Sequence, residues 1–248
     1  MMIKNQQLTR YEFKYFLRND TAESIFKIAL NFMNIDKYAL NCGSKGYFVR
    51  SLYFDNSNYD NFYEKVDGMQ VRKKFRLRTY DKSFNNNSNF YLEMKGRKLD
   101  RIIKKRTSFK MNYLKYFQSL TKLNELYFKN KHNELIESFI FDHNRKKINP
   151  RILVDYLRKP LVNKYGLYFR LTFDSNLTVS KSRSLYENNN FNNNKKYKPG
   201  TTILEVKFER SMPAWFHRVI QTFNLRRQSI SKYVLGVCAC GVKTETSD

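Results

Sequence analysis

The chain has 248 residues and carries 47 Lys and Arg against 22 Asp and Glu, a formal net charge of +25 at pH 7. Aromatic residues make up 16% of the chain, which excludes a disordered basic tail. A positive surplus of this size implies an anionic partner: nucleic acid, anionic lipid or a phosphate-rich molecule. Part of the Lys excess also fits the composition of an AT-rich genome, so the placement of the charge must decide between these partners.

Composition also limits the compartment. The three cysteines, Cys42, Cys238 and Cys240, are odd in number and lack the spacing of a zinc site, which predicts free thiols in a reducing environment. The first residues contain no apolar signal segment, and the longest apolar run, near residues 233–242, is about half of what a membrane helix needs. We therefore expect a cytoplasmic protein without a transmembrane segment, and its oligomeric state stays open.

The first part of the chain predicts strands and helices in alternation. Residues 10–18 alternate as a strand, Asp20 is the predicted N-cap of a helix over residues 21–33, and residues 47–56 form a largely apolar strand. A short helix over residues 58–65 precedes a strand over residues 72–80. Two further strands, over residues 90–98 and 101–109, follow a polar hairpin loop at residues 85–89.

The later part begins with a helical insertion at about residues 112–141, in two segments joined near residues 130–133. Strands are predicted over residues 150–160, 166–177 and 201–209, and a helix follows over residues 214–223. The Asn-rich stretch at about residues 187–200 predicts a mobile loop. We expect a single domain over residues 1–248.

The strand over residues 72–80 shows the pattern that decides the fold. Its two faces differ because successive side chains point to opposite sides: one carries Arg72, Lys74, Arg76 and Arg78, and the other carries Phe75, Leu77 and Thr79 together with Lys73. At least four other strands repeat this segregation. An open sheet with one solvated face also alternates, but it predicts mixed surface charge and few helices over its apolar side.

We therefore predict an α+β fold: a closed antiparallel β-barrel whose lumen is charged and whose apolar outer face is covered by helices. Many like charges in one lumen require a compensating anion, and phosphate chains fit best. An RNA-binding protein would place its cations on an accessible outer face, so the pattern disfavours nucleic acid as the partner.

Eight short motifs in order resemble the VTC-type polyphosphate polymerase domain, a member of the CYTH-like triphosphate tunnel metalloenzymes. The resemblance runs from about residue 10 to residue 236 and implies that the closed antiparallel barrel is an eight-stranded β-tunnel with helical cover. The motifs are Glu12-Phe-Lys14-Tyr15, Tyr53-Phe-Asp55-Asn56, Arg76-Leu-Arg78, Glu93-Met-Lys95, Tyr156-Leu-Arg158, Arg170 before Thr-Phe-Asp174, Leu204-Glu205-Val206-Lys207 and Ser231-Lys232-Tyr233.

This resemblance implies transfer of the γ-phosphoryl of ATP to a growing polyphosphate chain, with Mn²⁺ or Mg²⁺ as cofactor. The catalytic residues that it implies are Lys14, Arg76, Arg78, Lys95, Arg158, Arg170 and Lys232. It implies Glu205 as metal ligand, and we add Glu12 as a second carboxylate. Together with the strand faces, it predicts that substrate also contacts Lys74, Lys104, Arg106, Tyr156, Lys207 and Ser231.

Several alternatives stay open. A metal-dependent tripolyphosphatase or nucleoside triphosphatase needs the same basic lumen with water as acceptor, and a non-catalytic polyphosphate- or RNA-binding protein needs only the charge. Glu205 and Glu12 can instead be counter-charges for lumen cations. Lys104 is preferred to Lys105 by strand parity, which a β-bulge would reverse. The family has a further lysine where this chain has Ser229, and Arg226 or Arg227 is a candidate replacement.

Overall fold

A computed structural model of the chain describes residues 10–43, 46–99, 101–117, 120–129, 133–166, 168–186 and 194–241. These residues form an antiparallel α+β fold, as predicted. The strands are β1 (Arg10–Arg18), β2 (Met33–Ile35), β3 (Tyr47–Asp55), β4 (Val71–Thr79), β5 (Asn89–Lys98), β6 (Arg101–Lys110), β7 (Asn149–Asn163), β8 (Phe169–Lys181), β9 (Lys195–Lys196) and β10 (Thr201–Glu209). The helices are α1 (Asn19–Leu30), α2 (Lys37–Asn41), α3 (Asp60–Val66), the 3-10 helix Met111–Phe117, α4 (Leu120–Lys129), α5 (Glu134–Lys146), α6 (Ala214–Thr222) and α7 (Lys232–Ala239).

The chain divides into two compact units, each built from three chain segments. Unit 1 comprises Met1–Tyr47, Tyr156–Leu177 and Lys198–Ile230, and unit 2 comprises Phe48–Asp155, Thr178–Tyr197 and Ser231–Asp248. The long strands β7 and β8 each contribute one end to each unit.

Unit 1 has the strand order β1-β10-β8-β7, and β2 pairs with β7. Helices α1 and α6 pack on the apolar face of this sheet, where Phe26 of α1 meets Phe173 of β8 edge-on and Phe216 of α6 contacts Phe169. All four rings are buried. Burying a side chain of this size stabilises the fold by about 1.5–3 kcal/mol, so the helices here provide the cover that the strand alternation requires.

Unit 2 has the strand order β8-β7-β3-β4-β5-β6, and β9 pairs with β8. Its core joins the 3-10 helix, α4 and α5 to the apolar faces of β3–β6, and the ring of Phe139 in α5 contacts those of Phe54, Phe75 and Phe117. Lys73, the cation on the apolar face of β4, forms an ion pair of 2.9 Å with the buried Asp142 of α5. The helical insertion therefore supplies both the apolar cover and the counter-charge for this lysine.

The eight strands that the sequence predicts are all present, with end positions shifted by a few residues, and β2 and β9 are two short additions. In neither unit do the described strands close into a hydrogen-bonded ring, because the strand path ends at β1 in unit 1 and at β6 in unit 2. Antiparallel pairing is therefore a finding, whereas closure of the tunnel stays a prediction.

The prediction of a helix over residues 21–33 with Asp20 as N-cap is wrong at both ends. Helix α1 begins at Asn19, whose N–H donates to the carbonyl of Gly200 at 2.9 Å, so the backbone of another segment satisfies a group that a capping side chain would otherwise bond. Met33 belongs to β2, where it pairs with Asn163. Tertiary strand pairing thus removes the last predicted turn of the helix.

Some predictions fall partly outside the described residues: the first half of the Asn-rich loop (187–193), the junction at 130–132 and position 167 of the predicted strand over residues 166–177. The three cysteines are free thiols, as predicted. No helix in the described part of the chain is long and apolar enough to cross a membrane.

Candidate active site

The cations of unit 2 lie in rows across β4, β5 and β6, because residues paired in register share one face of a sheet. The rows are Arg72–Arg97–Ile102, Lys74–Lys95–Lys104, Arg76–Glu93–Arg106 and Arg78–Tyr91–Ser108. On these three described strands the face therefore carries eight cations and one carboxylate. The carboxylate cannot neutralise the cations, so this face has the charge of a polyanion site.

Glu93 is the counter-charge of the predicted arginine pair. Arg76 donates from Nε to Glu93 Oε2 at 2.7 Å, and its Nη2 lies 2.6 Å from the same oxygen. Arg78 Nη1 lies 3.7 Å from that oxygen, and its Nε donates to Ser51 Oγ at 3.2 Å. Arg76 also donates a hydrogen bond of 3.0 Å from Nη1 to the hydroxyl of Tyr53. Both guanidinium groups are thereby fixed in position before any ligand binds.

Two pKa shifts report the strength of the positive field here. Burial acts to raise the pKa of Glu93, but Arg76, Arg78 and Arg106 outweigh it and lower the pKa to about 2. Burial likewise acts to raise the pKa of Tyr53, and the charges of Arg76 and Arg78 reverse the direction. An acid that stays ionised while buried shows that the surrounding charge favours anions.

Arg106 makes a different kind of contact from the arginine pair. Its guanidinium carbon lies 3.5 Å from the centre of the Tyr91 ring. Its Nη2 donates to the hydroxyl of Tyr80 at 3.3 Å, and its Nε lies 3.5 Å from Glu93 Oε1. The guanidinium plane is therefore held against an aromatic ring.

Lys74 and Ser231, two of the predicted substrate-binding residues, lie together. Lys74 Nζ donates to Ser231 Oγ at 3.3 Å and lies 5.9 Å from the centre of the Tyr233 ring. The Tyr233 ring is packed against that of Tyr53. Lys232, which lies between Ser231 and Tyr233 in the chain, begins helix α7. Strand β4 and the start of α7 therefore place Lys74, Ser231 and Lys232 in one neighbourhood.

Unit 1 holds the predicted metal ligands around Lys14. Its Nζ lies 2.9 Å from Glu12 Oε1 and 3.9 Å from Glu205 Oε2, and it donates to the carbonyl of Ile230 at 3.0 Å. Glu205 Oε1 lies 2.5 Å from Lys207 Nζ. The register pairs Lys14 with Glu205 and Glu205 with Thr172. The two carboxylates thus act as counter-charges for two lysines.

The arginines of unit 1 have acidic partners of their own. Arg158 donates from Nε and Nη2 to the two carboxylate oxygens of Asp174, both at 2.7 Å, and its guanidinium lies 5.3 Å from the Tyr156 ring centre. Burial acts to lower the pKa of Arg158, and the Asp174 carboxylate reverses this and raises it. Arg170 Nη2 lies 3.2 Å from Asp36. Sequence reasoning missed Asp36, whose one local signal is its position as N-cap of α2.

The residues present fit a divalent ion that is held largely by phosphate. No group of three or more His, Cys, Asp or Glu residues is close enough to hold a metal in the described ranges. Mg²⁺ commonly takes one or two carboxylates, phosphate oxygens and water. Glu205 and Glu12 can supply the carboxylates, and Thr172 Oγ1, which is buried without a hydrogen-bond partner in the described part of the chain, offers a further oxygen.

The predicted site residues thus divide between the units. Unit 1 contains Glu12, Lys14, Tyr156, Arg158, Arg170, Glu205 and Lys207, and unit 2 contains Lys74, Arg76, Arg78, Lys95, Lys104, Arg106, Ser231 and Lys232. The parity preference for Lys104 agrees with the register, which pairs Lys104 with Lys95 and Lys105 with Met94. Arg227 lies 4.0 Å from the ring centre of Phe13, a residue of the opposite strand face from Lys14.

Three comparisons with known proteins extend these observations. A putative adenylyl cyclase from Hippeastrum with a dominant triphosphatase activity has a similar structure, with a TM-score of 0.51, 14% identity, and coverage of 93% of this chain and 97% of the other. A putative adenylate cyclase from Bacillus halodurans gives a TM-score of 0.48 at 11% identity, covering 89% and 92%. No curated protein matches the sequence. The model of the VTC domain matches residues 9–240, and the chain therefore belongs to the VTC domain family.

Proposed function

We propose that this protein is an ATP-dependent polyphosphate polymerase. In the reaction, an oxygen of the terminal phosphate of the chain attacks the γ-phosphorus of ATP, the bond from the γ-phosphorus to the bridging oxygen breaks, and ADP leaves with that oxygen. The family and the charged strand face support a function in handling polyphosphate or triphosphate. The observation that most strongly supports the proposal is the presence of eight cations and one carboxylate on the shared face of β4–β6.

Phosphoryl transfer requires alignment and neutralisation of charge more than covalent help. Arg76 and Arg78 can grip phosphate oxygens through planar guanidinium groups, and their protein contacts fix these groups in advance. Lys14, Lys95, Lys104 and Lys232 act as point charges. Preorganised charge of this kind is commonly worth several kcal/mol in the transition state.

The predicted cofactor, Mn²⁺ or Mg²⁺, belongs to this proposal, with Glu205 and Glu12 as its protein ligands. Glu205 and Glu12 would hold the ion, which would supply positive charge to offset the negative charge of the transferred phosphoryl group. The closed eight-stranded tunnel and the single domain over residues 1–248 are also part of the proposal.

Hydrolysis is the second candidate. The similar structure from Hippeastrum is described as having a dominant triphosphatase activity, and the same cations would bind a triphosphate with water as the acceptor.

The test is to incubate the purified protein with ATP and Mn²⁺ or Mg²⁺ and to measure polyphosphate and free phosphate. Arg76→Ala and Glu205→Ala are the test variants, and Lys105→Ala, which removes a cation from the opposite strand face, is the matched control. Polyphosphate that disappears in the two test variants and persists in the control supports the polymerase. Free phosphate without polymer supports the triphosphatase. Tight binding of polyphosphate or RNA without either product would instead indicate a binding protein.

A further inference from the structure

The contacts of Arg106 differ from those expected of a residue that only binds phosphate. Its guanidinium lies on the Tyr91 ring, with 3.5 Å between the guanidinium carbon and the ring centre, while Tyr80 and Glu93 contact its edge. These three neighbours hold the guanidinium plane of Arg106 against the Tyr91 ring. The side chain nevertheless stays 44% exposed, so a large part of it is accessible to a ligand.

A planar cation supported by an aromatic ring is a surface on which nucleobases stack. Proteins that bind single-stranded nucleic acids and nucleotides use aromatic rings and arginine planes in this way, and the contact tolerates different bases. Tyr80 and Tyr91 meet edge-on, with ring centres 5.8 Å apart. Arg106, Tyr91 and Tyr80, which we call the stacking cluster, therefore combine a flat cation with two adjacent rings.

The position of the stacking cluster on the strand face gives the site a direction. Tyr91 lies in the row of Arg78, the row of Arg76 follows, and the row of Lys74, Lys95 and Lys104 comes next. Tyr91 and Lys95 are four residues apart along β5, about 13 Å at the rise of a strand. The face thus changes from aromatic at one end to wholly cationic near the other.

We infer that the stacking cluster binds the nucleobase of the donor nucleoside triphosphate. This inference rests on the proposed function. With the base on Arg106, the triphosphate extends over Arg76 and Arg78, and its γ-phosphoryl group points toward Lys95 and Lys104, where the acceptor chain binds. The donor is accordingly a nucleoside triphosphate, and purines, with their larger rings, bind better than pyrimidines.

The experiment compares two ligands that share the phosphates and differ in the base: the non-hydrolysable ATP analogue with a β,γ-imido bridge, and inorganic tripolyphosphate. Dissociation constants for both are measured by calorimetry for the full chain and for Arg106→Lys, which keeps the charge and loses the plane. Tyr91→Leu removes the supporting ring and serves as the second variant. Lys104→Ala is the phosphate-contact comparison and Lys105→Ala the matched control, and thermal unfolding checks that each variant is folded.

We expect Arg106→Lys and Tyr91→Leu to weaken binding of the ATP analogue at least about fivefold, the lower end for loss of one base stack, with tripolyphosphate binding changed less than twofold. Lys104→Ala should weaken both ligands alike, and Lys105→Ala neither. Equal weakening of both ligands by Arg106→Lys, or no change in either, overturns the inference even if polymer is made. If the variants weaken only binding of the ATP analogue and the protein makes no polymer, the result supports the inference and excludes only the polymerase activity. Failure of both ligands to bind the unaltered protein overturns both.

Discussion

The hydroxyl of Tyr233 donates a hydrogen bond to the buried carboxylate of Asp55. That carboxylate also accepts the backbone N–H groups of Asn61 at 3.0 Å and Phe62 at 3.1 Å, in the first turn of α3. Burial raises the pKa of Asp55 even though these hydrogen bonds act to lower it. One side chain at the end of β3 thus links α3 to the first turn of α7, the turn that begins with Lys232.

Replacing Tyr233 by Phe should cost roughly 1–3 kcal/mol of unfolding free energy, because the buried carboxylate loses a partner. The loss should grow with pH: without this bond the pKa of Asp55 rises further, so ionising the folded state becomes more unfavourable as pH rises above the unfolded value of 3.8. Urea unfolding at pH 4.5 and pH 7 measures this, with Tyr127→Phe in α4 as the control. A loss that is the same at both pH values would contradict the role assigned to Asp55.

Glu93 should make the protein sensitive to acid. Its pKa in the folded state is about 2, against an ordinary value of 4.5. A group with a lowered folded-state pKa stabilises the fold fully above the unfolded value, and this contribution is lost as pH falls from about 4.5 to about 2. The shift corresponds to about 3 kcal/mol.

Chemical unfolding of the unaltered protein and of Glu93→Gln across pH 2–6 measures this contribution. The variant should be less stable at pH 6, and its stability should change less as the pH falls. Parallel curves for the two proteins would exclude Glu93 as the source.

Polymer synthesis should require the planar guanidinium group of Arg76 as well as its charge. We expect Arg76→Ala to lower kcat/KM for polymer synthesis on the order of 100-fold, the usual cost of removing a preorganised donor from a transition state. Arg76→Lys should recover only part of this loss, because a lysine cannot contact both Glu93 and a phosphate through a fork. Steady-state kinetics with ATP decides the matter, and full activity of the lysine variant would show that charge alone suffices.

The neighbouring pair Lys104 and Lys105 tests which face of β6 contacts the polyanion. Lys104 pairs in register with Lys95, whereas Lys105 forms an exposed ion pair with Glu134. Lys104→Ala should weaken polyphosphate binding severalfold and reduce its dependence on salt, while Lys105→Ala should change neither quantity. Binding titrations at two salt concentrations distinguish them, and equal effects of the two substitutions would mean that net charge, and not the strand face, controls binding.

Glu205→Gln should distinguish an effect of Glu205 on metal binding from its effect on anion binding. The carboxylate lies 2.5 Å from Lys207 and 3.9 Å from Lys14, so its removal leaves more positive charge for a ligand. We expect the variant to bind tripolyphosphate more tightly than the unaltered protein in EDTA, yet to need a higher Mn²⁺ concentration for half-maximal activity. If the metal requirement is unchanged, Glu205 is a counter-charge only.

Much of the fold could be predicted from the sequence because its signals are local. Alternation predicts β4 and also which of its faces carries Arg76 and Arg78, and helical spacing predicts α5 with Phe139 on its buried side. The predicted end of α1 was wrong because Met33 pairs with Asn163, a residue that is 130 positions away.

The candidate site shows the same contrast between local sequence signals and long-range contacts. Residue types and their spacing are enough to identify the cations, the strand face that they share and the helical cover of the other face, since a period of two or 3.6 residues is a property of neighbouring positions. The acidic partner of each arginine depends on the tertiary fold: it is Glu93 for Arg76, Asp174 for Arg158 and Asp36 for Arg170. Such pairs form over a few ångströms between side chains of different elements, so they depend on strand register and helix placement, which the local pattern does not contain.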